Sequence, residues 1–364
     1  MSAVHALSWA GRRDASSSAW SRQQRWLAGA AIAALLVLAI VLAAQFGAVR
    51  VQAADWWPAW LRGETTRTSG SAHVLWQIRL PRLLFAVLIG AALGVSGALT
   101  QGLFRNPLAD PSMIGITAGA ACAAALTIVV FASSNHVLPI AWRPWALPAA
   151  AFCGALAVCF ALDGIARWIT PGSITGLLLT GVALNAIAAA VIGLCTYLAS
   201  DEQLRSLSFW TLGSLAGAGW WLVAGLAVLL AVGTWRALRL ARALNALALG
   251  EAAAGHVGID VAVLRTRCVI LVALLVGCAV AWCGMITFIG LVAPHLARML
   301  IGADQRRVLP LAAAVGGALL LLADTLARTL AIPAEIPVGI FTALIGGPVF
   351  LLMLYGVMRR RGGV

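Results

Sequence analysis

The sequence predicts an all-α polytopic membrane protein, and three observations carry that prediction. Of 364 residues, 62% are hydrophobic and only 10% charged, with a mean hydropathy of +0.97. A soluble protein of this size could not cover its surface with so few charges. About ten stretches approach the ~20 apolar residues that a spanning helix needs. Short alternating segments, the mark of a transmembrane barrel, are absent from the sequence. The expectation is one membrane domain of ten transmembrane helices at 27–358, with polar tails at 1–26 and 359–364.

The spans fall near 27–47, 83–103, 112–132, 146–166, 173–198, 218–235, 268–286, 287–301, 309–327 and 337–358. The first follows a polar segment bearing Arg12, Arg13, Arg22 and Arg25, and is too long for the h-region of a signal peptide. In the second, Arg79 and Arg82 flank Pro81 at the helix mouth, and the span ends at Arg105-Asn106-Pro107. Its small residues Gly90, Gly94, Ser96 and Gly97 form a close-packing face, and Gly115/Gly119 and Gly172/Gly176 offer the same spacing later. The fifth span is polar for a membrane helix, with Thr175, Thr180 and Asn185. The seventh and eighth abut. The ninth carries Asp324 and Arg328 four apart near its outer end, where they can pair.

Ten spans put both termini on one side. With both ends cytoplasmic, seventeen arginines lie inside and eight outside, as the positive-inside rule requires. Trp56, Trp57, Trp60, Trp142, Trp145, Trp210, Trp220 and Trp221 then gather at outer helix ends, the interfacial zone tryptophan favours. A shift of 187 residues lays Ala86 on Ala273, Gly90 on Gly277, Gly97 on Gly284, Thr100 on Thr287 and Pro107 on Pro294. The two copies start on spans two and seven, so they cross in opposite directions, as an inverted-topology repeat does. The alternative is chance matching of small residues.

Between spans six and seven lies a long inner interruption, Arg236 to Arg267, broken at Gly250, Gly255 and Gly258, with Glu251 and His256 at its polar centre. A simple turn would need only ~2–8 residues. It reads as short helices on the membrane face, either merely interfacial or a platform for a cytoplasmic partner.

Other classes are excluded by composition. There is no lysine, hence no Walker A loop, and any ATP must be bound by another chain. The arginines are spread between spans, which argues against nucleic acid despite the net charge of +13. No Ser/His/Asp or HExxH constellation is visible, so no catalytic residue is assigned. The seven cysteines form no CxxC pair and read as small buried hydrophobes; His295 beside Pro294 reads as structural. No metal site or cofactor is expected.

Together, QIRLPR (77–82), SGALTQGLFRNPLADP (96–111), LALGE with its following glycines (247–258), GMITFIGLVAPHLAR (284–298), LLLADTLAR (320–328) and EIPVGIFTALIGGPVF (335–350) resemble the permease subunits of bacterial ABC importers for iron chelates, haem and cobalamin. The resemblance implies a homodimer of ten-helix subunits in the inner membrane. Substrate would pass along the dimer interface by alternating access. A separate ATPase dimer would bind from the cytoplasm, and a periplasmic substrate-binding protein would deliver cargo. It implies short coupling helices at 244–260, with Leu249, Gly250, Glu251, Gly255, His256 and Gly258 meeting the ATPase. Arg79, Arg82 and Arg328 would dock the binding protein, with Asp324 holding Arg328 in place; the other reading of these arginines is anchoring to lipid headgroups. Thr175, Thr180 and Asn185 would line the path, although Asn185 could equally satisfy a neighbouring carbonyl. The outer run 206–221 resembles haem permeases, with ferric siderophore and cobalamin as the other cargoes. A different class, an ion-coupled secondary transporter, would need intramembrane carboxylates as ion sites.

Overall fold

The computed structural model describes residues 22–57, 70–131, 139–170 and 173–362. Its helices are α1 (Arg22–Gln45), α2 (Gly70–Leu103), α3 (Ile116–Val129), α4 (Arg143–Ile169), α5 (Ile174–Leu198), α6 (Asp201–Leu212), α7 (Trp220–Leu247), α8 (Glu251–His256), α9 (Val261–Cys283), α10 (Ile289–Ile301), α11 (Gln305–Ala327) and α12 (Val338–Gly362). Seven are long and apolar enough to cross a membrane, and the apolar stretch Gly29–Gln45, α3 and α10 are shorter. These are the ten predicted spans. Gly172, and the tails apart from the helix ends at 22–26 and 359–362, lie outside the described residues.

Helix ends differ from the predicted spans for a physical reason. Hydropathy fades at arginine, but arginine is a good helix former. α7 therefore runs on through Arg236, Arg239 and Arg242, and α9 starts ahead of Arg265. Of the short helices expected over 236–267, only α8 is separate. Gly250 (φ +118°) and Gly258 (φ +78°) bracket it in a backbone conformation that side chains resist.

Span two also begins earlier than expected, at Gly70, so Pro81 lies inside α2 and not at its mouth. Pro81 has no N–H, and its ring crowds the carbonyl four residues back. The turn before it widens into a π-helix over Val74–Arg79, with the Leu80 amide bonding the Leu75 carbonyl. Arg79 and Arg82 are thus set a few turns along the helix, where the macrodipole cost expected at an N-terminus does not arise.

α2 is the central post. Its most apolar window is 83% buried, against 17% for α5. Glycine makes this approach possible. A Cβ on Gly90 would stand 2.2 Å from the Gly316 carbonyl oxygen, on Gly94 2.1 Å from that of Ala312, and on Gly97 1.7 Å from that of Gly290. α2 therefore packs backbone to backbone on α10 and α11, as small residues permit between membrane helices. Gln101 Nε2 adds a buried bond to the Leu291 carbonyl at 3.1 Å.

The repeat is visible in the packing. α2 lies on α11 as α9 lies on α4; α3 pairs with α4 as α10 pairs with α11; α5 packs on α3 as α12 packs on α10. The residue register read at a shift of 187 does not carry through. Gly97 is inside α2 while Gly284 caps α9 at φ +70°, and Pro107 is in a turn while Pro294 is inside α10. α9 ends at Cys283, 180 residues after the end of α2 at Leu103, so the pairing of helices is preserved while the residue matches at 187 are not.

Candidate functional site

One end of the molecule is built around three buried arginines. Arg82 donates from Nε and Nη2 to Asp324 Oδ1 at 3.0 and 2.8 Å, and from Nη1 to both Glu335 oxygens at 2.8 Å. Arg79 Nη1 donates to the Ala44 carbonyl at 2.9 Å, and its Nη2 to that of Val49. Arg328 Nη1 donates to the Phe46 carbonyl at 2.6 Å, and its Nη2 to that of Ala43. Those carbonyls sit at and just past the C-terminal end of α1, where the last C=O groups lack helical partners and favour a cation. Gly47 (φ +146°) leaves the room: a Cβ there would stand 2.6 Å from Arg79 Nη2.

The three arginines are only 6%, 9% and 8% exposed, so each is turned inward. They still line a pocket of about 190 Å3, with Glu335 beside them. Three guanidinium groups face two carboxylates, which leaves one positive charge in excess. The expected pairing of Asp324 with Arg328 exists at 3.7 Å, but Arg82 is the tighter partner at 2.8 Å.

The same end holds a second, polar cavity of about 760 Å3, where Arg143, Glu202, Gln203 and Ser206 face the end of α9. Beside it Trp145, Trp221 and Trp282 meet edge to face or tilted, with ring centres 4.6 to 5.2 Å apart. The loop 213–219 is pinned by Ser214 N–H to the Cys283 carbonyl at 2.8 Å, and Val338 N–H reaches Gly213 at 3.2 Å.

The opposite end carries α8. Ala254 is fully buried and anchors it, while Leu249 is 80% and Val257 67% exposed at its two ends. Gly255 and His256 are also exposed, and His256 Nδ1 lies 2.7 Å from the Ala252 carbonyl. Glu251 is held loosely, 3.7 Å from Arg105 Nη2 and 4.0 Å from Arg265 Nη2. Arg105 stands in the left-handed region (φ +51°), so the predicted inner break of span two is a real turn and reaches α8. Nearby, Asn245 clips α11 to α7: its Nδ2 donates to Asp304 at 2.7 Å and its Oδ1 accepts from the Gln305 amide at 2.9 Å.

The three polar residues of α5 are not equivalent. Thr175 is exposed, Thr180 returns its hydroxyl to the Gly176 carbonyl at 2.8 Å, and Asn185 Nδ2 reaches the Ser112 carbonyl at 3.4 Å. Leu179, Val182 and Ile187 beside them are exposed and apolar.

With two polar ends joined by a small-residue helix core, the comparisons with known proteins become decisive. The profile of the FecCD transport family matches residues 35–356. The chain belongs to the FecCD transport family. It is 43% identical to the hemin transport system permease HmuU of Yersinia pestis, over 90% of this chain and 96% of that protein. It is 39% identical to the vitamin B12 import permease BtuC of Vibrio vulnificus (strain CMCP6), over 92% and 95%. A solved inward-facing metal-chelate type ABC transporter matches with a TM-score of 0.77 at 32% identity, covering 90% of this chain and 98% of that one. This FecCD-family chain is therefore a multi-span permease, the transport component of an ABC importer.

Several groups of the two ends escaped the sequence reading. Glu335, Asn245 and Asp304 gave no signal of a partner, and Arg105 and Arg265 none of Glu251. Asp163 is a further case: a buried carboxylate of α4, it pairs with Arg167 and accepts from Thr266 at 3.4 Å. Asp304 alone was findable, as an Asp immediately before a helix is an N-cap signal.

Proposed function

We propose that this chain is the membrane permease of a bacterial haem importer. It works in the inner membrane as a dimer of two copies, with both termini cytoplasmic. The observation that carries the cargo is the 43% identity to the Yersinia hemin permease over nearly the whole of both chains. Cobalamin is the second reading, favoured by 39% identity to a vitamin B12 permease. The apolar, uncovered face of α5 supports the dimer contact, with Thr175, Thr180 and Asn185 on the helix beside the path. A path of this kind carries haem without ligating it.

Two docking faces follow from the two ends. α8 and its flanks, with Leu249, Gly250, Glu251, Gly255, His256 and Gly258, form the platform for a cytoplasmic ATPase dimer. Exposed Leu249 and Val257 beside an anchored short helix support this, because apolar groups held out in water mark a contact surface. The pocket above Arg79, Arg82 and Arg328 is the docking point for a periplasmic binding protein. Its one excess positive charge suits a carboxylate of the partner.

Reconstitution into proteoliposomes with the neighbouring ATPase and binding protein tests the reading. ATP-dependent uptake of haem, and not of cobalamin or a ferric siderophore, is expected. Uptake of cobalamin alone overturns the cargo, and no ATP-dependent uptake of any cargo overturns the function. The double variant Leu249→Asp/Val257→Asp is expected to fold and to lose ATPase pull-down by at least about tenfold, the loss typical of a removed apolar anchor.

A further inference from the structure

A groove of about 680 Å3 runs between α7 and α9, away from the dimer-facing helix α5 and from the arginine cluster of the other end. α7 and α9 touch where Gly233 meets Leu275: a Cβ on Gly233 would stand 2.8 Å from Leu275 Cδ2. From that contact toward the α8 end the groove opens. Its walls are apolar, with Val232, Leu240 and Ile270 among them, and its mouth holds Arg236, Arg239 and Arg267. All three arginines are exposed, and among the described residues no acidic group pairs with any of them. Trp235 gathers two of them, with the Arg236 and Arg239 guanidinium carbons 5.2 and 5.0 Å from its ring centre.

We propose that this groove is a binding site for one anionic phospholipid, with its phosphate on Arg236, Arg239 and Arg267 and an acyl chain along the walls between α7 and α9. The division of the site carries the choice of occupant. Cations stand at one end only, next to a tryptophan of the interfacial kind, and hydrocarbon lines the rest. A soluble partner could meet the arginines but has no means to fill an apolar groove between two spanning helices. A free phosphate would use the arginines and leave the walls uncovered. Arginine presents the planar fork that matches a phosphate diester.

The test is native mass spectrometry of the purified full-length permease, exchanged into phosphatidylcholine nanodiscs carrying a minor share of phosphatidylglycerol. Retained phosphatidylglycerol, about one per chain, is expected. Each basic side chain near an anionic headgroup contributes about fivefold to its retention, so Arg236→Gln/Arg239→Gln/Arg267→Gln should reduce retention by about 100-fold. Arg306→Gln/Arg307→Gln, which removes two exposed charges elsewhere at the same end, should leave it unchanged. Arg236→Lys/Arg239→Lys/Arg267→Lys keeps the charge and should retain most of the lipid, which guards against loss by misfolding. Equal loss in the Arg306/Arg307 variant would mean bulk charge and overturn the site. So would displacement of the lipid by millimolar inorganic phosphate, or by stoichiometric addition of the ATPase.

Discussion

The two ends of this permease are held together in opposite ways. At one end Arg82, Asp324, Glu335, Arg79 and Arg328 close on one another and on the C-terminal end of α1, with hydrogen bonds of 2.6–3.0 Å among them, and all but Glu335 are buried. At the α8 end Glu251 stands 3.7 and 4.0 Å from its arginines and is 40% exposed. Burial sets the difference in energy. A buried ion pair is costly to break because it strands a charge, whereas an exposed one is worth little. The arginine cluster is therefore a firmly held rim, and the charges at the α8 end stay loosely paired.

The largest expected effect tests the rim. Arg82→Ala leaves Asp324, which is 0% exposed, without its main partner, and should cost about 3–5 kcal/mol. The double variant Arg82→Ala/Asp324→Ala should cost clearly less than Arg82→Ala alone, since no charge is left stranded. Thermal unfolding of the detergent-solubilised permease reads both. A melting temperature for Arg82→Ala within about 2 °C of wild type would erase the contrast between the ends.

The sequence made one side of this contrast legible and hid the other. Hydropathy located all ten spans, and the glycines of α2 marked its packing face, because both signals are local. Gly250 and Gly258 marked the break around α8 for the same reason. The partner of Arg82 was not legible: Asp324 lies 242 residues away and Glu335 lies 253 away. Chain topology alone brings them together. Nor could the sequence show that Arg79 and Arg328 turn to carbonyls of α1, since backbone groups have no letter. The shift of 187 does not align the paired helices α2 and α9, whose ends lie 180 residues apart, because matches among abundant small residues carry little register information.

A middle-sized effect lies at the α8 end, where one tight clip interrupts the loose charges. Asp304 caps α11 by accepting from the Arg306 amide at 3.0 Å and from Asn245 at 2.7 Å. Asp304→Ala should cost about 1 kcal/mol, the usual worth of an N-cap. Partial burial pushes the carboxyl up, but those two bonds and the charges of Arg306 and Arg307 outweigh it and hold Asp304 below its ordinary range. A carboxyl with a depressed folded value stabilises above its unfolded value, near about pH 4, and loses that as pH falls through the folded one. Wild type should thus lose more stability than Asp304→Ala between about pH 5 and pH 3, read by thermal melts at each pH. Parallel loss in the two proteins would remove Asp304 from the account.

The smallest effect on stability, and the sharpest test of the comparison, is Glu251→Gln. Its arginines lie beyond hydrogen-bond reach, so the variant gives up only screened attraction, worth about 0–1 kcal/mol. The glutamine keeps the shape of α8 and the anchoring of Ala254. Melting should therefore be nearly unchanged, while ATPase pull-down weakens if Glu251 serves the partner. That split separates the ends: the same loss of one charge unfolds the rim when made at Arg82 and leaves the fold intact here. A drop in stability comparable to that of Arg82→Ala would mean that Glu251, Arg105 and Arg265 hold α8 in place as firmly as the arginine cluster holds α1. The α8 end would then be a second rigid rim, and the contrast between the two ends would be lost.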